Sequence, residues 1–283
     1  MQVAIIGADG QLGTELSKAF PQAIKLTQKD LDIENKEAVE KFFRENSVDV
    51  IVNTAAYHDM NKTETNPIKT FSVNSIAVNN LVEECNKNNV ALVQISTDYV
   101  FDGKKQQPYH EEDITSPLNW YGISKVAGET MIKNKLGHHY IIRLSSLFGH
   151  AGCKEKGGGN FVEMVLKKLA TGNEINMVND QFMSPTYAYD AAIKIKEILD
   201  KKLPYGTYHV TNSGQCSWYE LAAEIANKTN SKTKITPVST TGNIINRPKY
   251  SALENKKLKE YKMEMRHWKE ALEHYLSNRP QQQ

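Results

Sequence analysis

The sequence predicts an α/β fold, with a doubly wound parallel sheet in residues 1–150 and a smaller mixed α/β lobe in residues 151–283. Short apolar runs alternate with amphipathic helical stretches from residue 1 to about residue 149, which is typical of parallel strands joined by helices. A glycine-rich turn follows the first of these runs. After Gly149 the alternation ends, and some later segments are expected to return to the sheet.

Composition argues against several classes of protein. The 283 residues carry a net charge of only +2, which gives no bulk attraction to nucleic acid or to an anionic membrane. No apolar run approaches the length needed to span a bilayer, and the chain begins without a basic and apolar leader. The three cysteines form no C-x-x-C pair, so neither a disulfide framework nor a metal site is indicated. These features predict a reduced cytoplasmic protein without a metal, and they leave open whether it is a monomer or a homodimer.

The first apolar run ends in a turn with three glycines, Gly7, Gly10 and Gly13, and a helical pattern follows. In this context the spacing indicates dinucleotide binding, because the glycines let the backbone approach a pyrophosphate at the helix N-terminus. The alternative, a plain turn between a strand and a helix, carries less weight here. We therefore predict a Rossmann-type sheet with a pyrophosphate site at Gly10, Gln11 and Leu12.

The loop after the second predicted strand, residues 23–26, bears on the choice of cofactor. It reads T-Q-K, without the carboxylate that would bond a ribose 2′-hydroxyl and repel a 2′-phosphate. Lys29 can pair with such a phosphate, although it can equally be a solvated loop lysine, so NADPH is favoured over NADH. Asp32 and Ile33 come next and are candidates for holding the adenine ring.

Residues 48–52 predict a strand covered on both faces, and small residues follow its carboxyl end. Ala55 and Ala56 leave room for a cofactor against the backbone, and Tyr57 comes directly after them. All three are therefore candidate cofactor-binding residues. Asn74, in a helical stretch predicted at 67–88, is either a buried polar anchor near the site or a surface asparagine.

The stretch from residue 93 to residue 125 carries the predicted chemistry. An apolar strand opens onto Thr97 and Asp98, and Tyr121 and Lys125 follow four residues apart, on one face of a predicted helix. An ammonium ion beside a phenol lowers the phenol pKa from its usual value of about 10, so the tyrosine can exchange a proton near neutrality. Thr97 can hold a substrate oxygen against Tyr121. A Tyr and a Lys at this spacing are also common on helix surfaces, so the pair alone is weak evidence for a catalytic site. The predicted nucleotide site earlier in the chain strengthens the catalytic interpretation.

The second half of the chain predicts a lobe that closes over the edge of the sheet. It begins with a glycine- and lysine-rich stretch at 151–159, predicted to be a mobile loop, and ends in an amphipathic helix around Trp268. Ligand pockets form between such lobes. Arg247 is the candidate for an anionic substrate group, because a guanidinium matches phosphate with two hydrogen bonds; an exposed loop arginine is the alternative.

Six segments, in order along the chain, resemble one family of enzymes. The chain resembles the extended short-chain dehydrogenase/reductases, and among them the dTDP-4-dehydrorhamnose reductases, in G-A-D-G-Q-L-G, N-T-A-A-Y, S-T-D-Y-V-F-D-G, Y-G-I-S-K, D-Q-F-M-S-P-T and R-P-K-Y-S. These segments fall between residues 7 and 251, so the resemblance covers nearly the whole chain. The third and fifth segments are far more specific than the glycine turn.

The resemblance implies an NAD(P)H-dependent reduction of the C4 ketone of a nucleotide-linked 6-deoxyhexose, from dTDP-4-dehydro-L-rhamnose to dTDP-L-rhamnose, for cell-surface polysaccharide synthesis. It implies that Tyr121 protonates the alkoxide, that Lys125 lowers the pKa of this tyrosine, and that Thr97 positions the carbonyl oxygen. Tyr121 and Lys125 would also hold the cofactor ribose. The substrate-binding residues it implies are Met60, Thr97, Asp98, Ser146, Asn160 and Arg247.

The chain departs from the family where the sugar should lie. Ser146 stands where the family usually has a Trp, and Met60-Asn61 stands where it usually has Val-Asp. Pocket shape discriminates between similar sugars, so a reductase of a different nucleotide keto-sugar is one alternative. Another is a non-catalytic NADP-binding subunit like the regulatory β subunit of methionine adenosyltransferase, which is similar to these reductases and keeps much of the Tyr/Lys motif.

The motifs also bear on two other activities of the same superfamily. A 4,6-dehydratase would need an Asp-Glu pair after the threonine, and here Asp98 is followed by Tyr99, so the carboxylate that would abstract the C5 proton is missing. An epimerase is harder to exclude from the sequence, but it would hold NAD tightly and need no external reductant.

Overall fold

The structure is a computed structural model that describes residues 1–151, 159–242 and 245–279, so most of the predicted loop at 151–159 lies outside the described residues. The strands are β1 Val3–Ile6, β2 Ile24–Leu26, β3 Val50–Asn53, β4 Ala91–Thr97, β5 His139–Leu144, β6 Leu147–Phe148, β7 Ile175–Val178, β8 Phe182–Met183, β9 Thr186–Tyr187, β10 Gly206–His209, β11 Cys216–Ser217 and β12 Ile235–Val238. The helices are α1 Gln11–Ala19, α2 Lys36–Glu45, α3 Met60–Thr65, α4 Pro67–Phe71, α5 Ala77–Asn88, α6 Trp120–Lys135, α7 Phe161–Thr171, α8 Ala188–Asp200, α9 Trp218–Lys228, α10 Lys256–Glu260 and α11 Trp268–Ser277. A π-helical turn, Ser72–Ile76, joins α4 to α5 into the long helical stretch that the sequence predicts. None of the helices in the described ranges is long and apolar enough to cross a membrane.

Six strands form one parallel sheet in the order β2-β1-β3-β4-β5-β10. Alternate residues of β1 belong to two hydrophobic cores, one on each face. Val3 and Ile5 pack with residues of α1 and α8, whereas Ala4 and Ile6 pack with residues of α2, α5 and α6. Both faces are therefore covered, which explains why the strands are apolar at consecutive positions. The predicted α/β class with a doubly wound parallel sheet is confirmed.

The strand order reverses at β1, and this reversal positions the site. From β1 the chain passes to β2 on one side and then to β3 on the other. A crevice forms beyond the carboxyl ends of the strands at such a switch point, and ligands of open α/β sheets bind there. The carboxyl ends of β1, β3, β4 and β5 lie at this edge. The glycine turn, the Ala55-Ala56 loop and Ser146 follow β1, β3 and β5, and Thr97 is the last residue of β4.

The second half of the chain has a core of its own, built by α7, α9 and α11 around side chains such as Leu221 and Trp268. Short ladders pair β7 with β12 and β8 with β11. Two segments of this half belong to the main sheet instead, since α8 packs on α1 and β10 pairs with β5. The domain boundary at residue 150 stays a prediction.

Candidate active site

The glycine turn between β1 and α1 has no room for larger side chains. Gly7 has φ +76°, and a Cβ on Gly13 would lie 2.0 Å from the carbonyl oxygen of Gly7. Gly10 caps α1, so the first backbone N–H groups of the helix, from Gln11 onward, lie at the crevice and can donate to a phosphate. Leu12 packs in the core, and the buried Oε1 of Gln11 accepts no hydrogen bond from any described residue. The turn therefore fits a dinucleotide pyrophosphate.

The loop after β2 holds the residues predicted for the adenine end of the cofactor. Lys29 is exposed, and beside it the carboxylate of Asp30 accepts hydrogen bonds from the backbone N–H and the hydroxyl of Thr27, at 2.8 and 2.7 Å. Asp32 accepts a hydrogen bond from a backbone N–H two residues on, at 3.0 Å. The side chain of Ile33 is buried in the core, so only its backbone can face an adenine ring. The sequence prediction considered a carboxylate only at the strand end, so it did not weigh Asp30.

The loop after β3 is held by one buried side chain, Asn74 of the π-helical turn. Its Oδ1 accepts from the backbone N–H of Tyr57 at 2.9 Å, and its Nδ2 donates to the carbonyl oxygen of Tyr57 at 2.8 Å. The same Nδ2 donates to the hydroxyl of Ser124 in α6, at 3.0 Å. Asn74 is thus a buried anchor, and it holds the loop of Ala55 and Ala56 against α6.

The strand end at Thr97 is fixed by hydrogen bonds on both sides of its hydroxyl. Thr97 Oγ1 donates to Oδ1 of Asp98 at 3.1 Å and accepts from the backbone N–H of Tyr99 at 3.2 Å. Asp98 also accepts from the hydroxyl of Ser251 at 2.5 Å, which ties this strand end to the second half of the chain. Burial raises the pKa of Asp98 to about 6, although hydrogen bonds from Ser251, Ser145 and Thr97 lower it.

Tyr121 and Lys125 lie in the first two turns of α6, where the helix packs closely on the turn after β4. Asn119 caps the helix and accepts from the backbone N–H of Gly122 at 2.9 Å. A Cβ on Gly122 would lie 2.2 Å from the carbonyl oxygen of Tyr99, so only glycine permits this approach. The rings of Tyr121 and Tyr99 meet edge to face, with 6.2 Å between their centroids. The phenol of Tyr121 therefore lies in the same region as the end of β4.

Lys125 is buried, and its Nζ donates to the carbonyl oxygen of Ile95 at 2.6 Å. Burial lowers the pKa of Lys125 to about 8, although the charge of Glu129 on the next turn raises it. A lysine with this pKa still carries its proton at neutral pH. Its ammonium group is therefore available to stabilise a phenolate on the same helix face.

A small recess between the sheet edge and the second half of the chain contains two of the predicted substrate residues, Asp98 and Ser146. We call it the substrate recess, and its lining includes Asp98, Ser146, Gln181, Phe182, Trp218 and Ser251. Ser146 has φ +44°, a left-handed conformation that is uncommon outside glycine. The sequence interpretation named only two of these six residues. The segments D-Q-F-M-S-P-T and R-P-K-Y-S contain three of the others, whereas no motif signalled Trp218.

Three further candidates lie outside this lining. Met60 begins α3, which packs against α6. Arg247 lies close enough to Tyr99 for its charge to act on the phenol. Burial raises the pKa of Tyr99 to about 12, and the charge of Arg247 opposes this rise. Asn160 caps α7, and its Nδ2 donates to the carbonyl oxygen of Gly149 at 2.8 Å, so its amide is engaged in the fold. Among the described residues, no group of three or more His, Cys, Asp or Glu side chains could hold a metal ion.

The family described as the RmlD substrate binding domain matches residues 1–280. The chain belongs to this family. It is 39% identical over 284 residues to the spore coat polysaccharide biosynthesis protein SpsK of Bacillus subtilis (strain 168), a match that covers 98% of each chain. It is 34% identical to the dTDP-4-dehydrorhamnose reductase of Sinorhizobium fredii, over 78% of this chain and 76% of that enzyme. The resemblance predicted from the sequence motifs is confirmed.

Solved structures of RmlD-type reductases have the same fold. A dTDP-4-dehydrorhamnose reductase from Clostridium acetobutylicum has a TM-score of 0.92 and 37% identity, covering 98% of this chain and 99% of that one. The Bacillus anthracis dTDP-4-dehydrorhamnose reductase, solved in complex with NADP, has a TM-score of 0.90 and 35% identity at the same coverage. A UDP-glucose 4-epimerase from Thermus thermophilus, with 19% identity and a TM-score of 0.80, shares the fold alone.

The buried carboxyl of Asp98 predicts a pH-dependent stability of this RmlD-family fold. Because burial raises its pKa to about 6, Asp98 contributes stability that is full below about pH 4 and is lost as the pH rises through about 6. We expect the free energy of unfolding of the wild type, relative to Asp98→Asn, to fall by about 2 kcal/mol between about pH 4 and about pH 7. Denaturant titrations at each pH measure this difference.

Asp30→Asn is the control for the Asp98 experiment. Hydrogen bonds from Thr27 lower the pKa of Asp30, so the corresponding difference in stability should rise with pH instead. A difference for Asp98→Asn that is independent of pH would contradict the buried position of this carboxyl group.

Proposed function

We propose that this protein is an NADPH-dependent reductase of a nucleotide-linked 4-keto-6-deoxyhexose, with dTDP-4-dehydro-L-rhamnose as its substrate and dTDP-L-rhamnose as its product. The observation that supports the proposal is that Lys125 and the ring of Tyr121 contact the end of β4, where Thr97 lies, at the same edge of the sheet as the glycine turn. This arrangement occurs in a chain similar over its full length to dTDP-4-dehydrorhamnose reductases, one of them solved with NADP. The likeness to a spore coat polysaccharide biosynthesis protein supports a role in making a surface polysaccharide.

NADPH bound at the glycine turn supplies a hydride to C4 of the sugar and leaves as NADP⁺. Tyr121 donates its phenolic proton to the C4 oxygen in the same step, so the ketone becomes a secondary alcohol. The ammonium group of Lys125 stabilises the phenolate that remains until solvent returns the proton. The hydroxyl of Thr97, which accepts from the N–H of Tyr99, turns its proton from Asp98 to the carbonyl oxygen when the substrate binds and keeps that oxygen close to the phenol.

We assign the sugar to the substrate recess and the pyrophosphate of the substrate to Arg247. Asp98 and Ser251 can exchange hydrogen bonds with sugar hydroxyls, and the rings of Phe182 and Trp218 provide apolar surface. A guanidinium group suits a diphosphate because it can donate two parallel hydrogen bonds. Ser146 and Met60 stand at the two positions that depart from the family pattern, so we expect them to set the preference between similar sugars.

We further propose that the reaction takes place in the cytoplasm, by a monomer or a homodimer. The described cysteines Cys85 and Cys216 are buried free thiols, which is compatible with a reducing compartment.

The proposed function is tested by steady-state NADPH oxidation with dTDP-4-dehydro-L-rhamnose generated in situ, alongside a panel of UDP- and dTDP-linked 4-keto sugars. We expect the dTDP-4-dehydro-L-rhamnose to give the highest kcat/KM. Faster turnover of another ketone would replace the substrate and keep the reaction. Tight NADPH binding with no turnover of any ketone, together with recovery of a partner enzyme in a pull-down, would favour a regulatory subunit instead.

A further inference from the structure

A buried carboxylate one turn beyond Lys125 has no part in the reaction described above. Glu129 is 2% exposed, and its Oε1 accepts hydrogen bonds from the hydroxyl of Ser96 at 2.7 Å and from Nε of Arg143 at 2.9 Å. Its Oε2 accepts from Nη2 of Arg143 at 2.7 Å and from Nζ of Lys133 at 3.2 Å. Four donors around one carboxylate hold it in a single position.

The hydroxyl donor to Glu129 comes from the part of β4 that builds the active site. Ser96 lies between Ile95, whose carbonyl oxygen accepts from Lys125 at 2.6 Å, and Thr97, which we propose orients the substrate. The bond from Ser96 to Glu129 therefore ties this piece of strand to the helix that carries Lys125. A change in this bond would alter the distance between the two catalytic elements.

Glu129 carries a negative charge at neutral pH. Burial raises its pKa, but the hydrogen bond and the charge of Arg143 outweigh this effect and lower the pKa to about 2. Arg143 stands opposite Ser96 in the β4–β5 ladder and is itself 1% exposed. Other titratable and charged groups of the neighbouring elements are Asp98, Tyr99, Glu111, Tyr121, Lys133 and His209.

Of these neighbours, His209 carries no charge, because burial lowers its pKa to about 3. For Lys125, burial is the main influence and lowers its pKa to about 8, and Glu129 is the charge that opposes this change. Glu129 is thus joined to Lys125 both mechanically, through Ser96 and Ile95, and electrostatically.

We propose that Glu129 is a positioning residue for the catalytic lysine: through Ser96 it fixes the carbonyl group that receives Lys125, and through its charge it keeps that lysine in the ammonium form at working pH. This inference rests on the proposed function, which gives Lys125 its role. The inference adds Glu129 as the residue that keeps Lys125 in position and protonated.

The proposal is tested with Glu129→Gln, which keeps the shape of the side chain and removes its charge. The protonation midpoint of Lys125 is followed by NMR with carbon-13 at the lysine Cε, and the signal is assigned with Lys125→Arg. We expect the midpoint in Glu129→Gln to fall by on the order of one pH unit. The alkaline limb of kcat/KM for the keto-sugar should move by the same amount, which lowers kcat/KM about fivefold near pH 8.

Glu84→Gln is the matched control. Glu84 is also a buried helical carboxylate paired with a lysine, Lys87, but it lies on α5. It should leave the Lys125 midpoint unchanged. An unchanged midpoint in Glu129→Gln, or an equal fall in Glu84→Gln, would overturn the proposal.

A second variant, Ser96→Ala, guards against the chance that Glu129→Gln fails to fold with Arg143 left unpaired. It removes one donor and leaves no charge without a partner. We expect kcat to fall roughly 2- to 10-fold while NADPH affinity is kept; an unchanged kcat would count against the mechanical part of the proposal. If the wild type reduces no keto-sugar but the midpoint still falls in Glu129→Gln, the proposed function fails and the electrostatic link to Lys125 stands.

Discussion

Replacing Tyr121 by Phe is expected to lower kcat for keto-sugar reduction by roughly 10²- to 10⁴-fold, the usual contribution of a positioned general acid. The substitution removes only the hydroxyl, so the ring can keep its edge contact with Tyr99, with 6.2 Å between centroids. The melting temperature should therefore change little, and NADPH should still bind, since the glycine turn and Lys125 are unaltered. We therefore expect two results together. NADPH oxidation slows by this factor, and fluorescence shows that the variant still binds NADPH.

Tyr109→Phe is the control for the Tyr121 experiment. Tyr109 is buried, whereas Tyr121 is half-buried, and the hydroxyl of Tyr109 donates to Asp102 at 2.9 Å. This variant should keep the wild-type kcat. Near-normal turnover by Tyr121→Phe would show that another group protonates the alkoxide.

Replacing Gly13 by Ala is expected to weaken NADPH binding by about 10²-fold or more, because it displaces the helix that receives the pyrophosphate. The added Cβ would lie 2.0 Å from the carbonyl oxygen of Gly7 and 2.8 Å from Cα of Ala8. Both neighbours are backbone atoms, so α1 must move away from β1. Titration of NADPH fluorescence measures the loss, and thermal unfolding measures the accompanying fall in stability.

Gly137→Ala is the matched control for the Gly13 substitution, since a Cβ there meets nothing within 4 Å. It should leave both NADPH affinity and stability unchanged. Wild-type affinity in Gly13→Ala would mean that the cofactor does not depend on the close approach of α1 to β1.

Features that depend on local patterns could be predicted from the sequence. The glycine turn was predicted because its spacing and its context lie within a few consecutive residues, and Gly7 and Gly13 do approach each other as that pattern requires. The longer strands and helices, such as β4 and α6, followed from apolar periodicity, whereas short elements such as α3 and β12 were not predicted. The sheet partner of β10 did not, because Gly206–His209 pairs with β5 far away in the sequence.

Features of the site that depend on long-range packing were missed for the same reason. The hydrogen bond from Ser251 to Asp98 joins residues 153 positions apart. Ile33 was assigned to the adenine ring, but its side chain lies in the core. The sequence could not show this, because a single apolar residue in a loop gives no sign of which way it faces. Glu129 follows Lys125 by four residues, yet only its pairing with Arg143 on β5 distinguishes it from an ordinary surface glutamate.

The most direct test of the central claim is to follow the hydride itself. Reduction of dTDP-4-dehydro-L-rhamnose with NADPH that carries deuterium at the transferred position should place one deuterium at C4 of the product sugar, as read by NMR. Tyr121→Phe should show a large fall in the rate of this transfer. Deuterium at any other carbon, or a product formed without deuterium, would contradict a direct reduction of the C4 ketone.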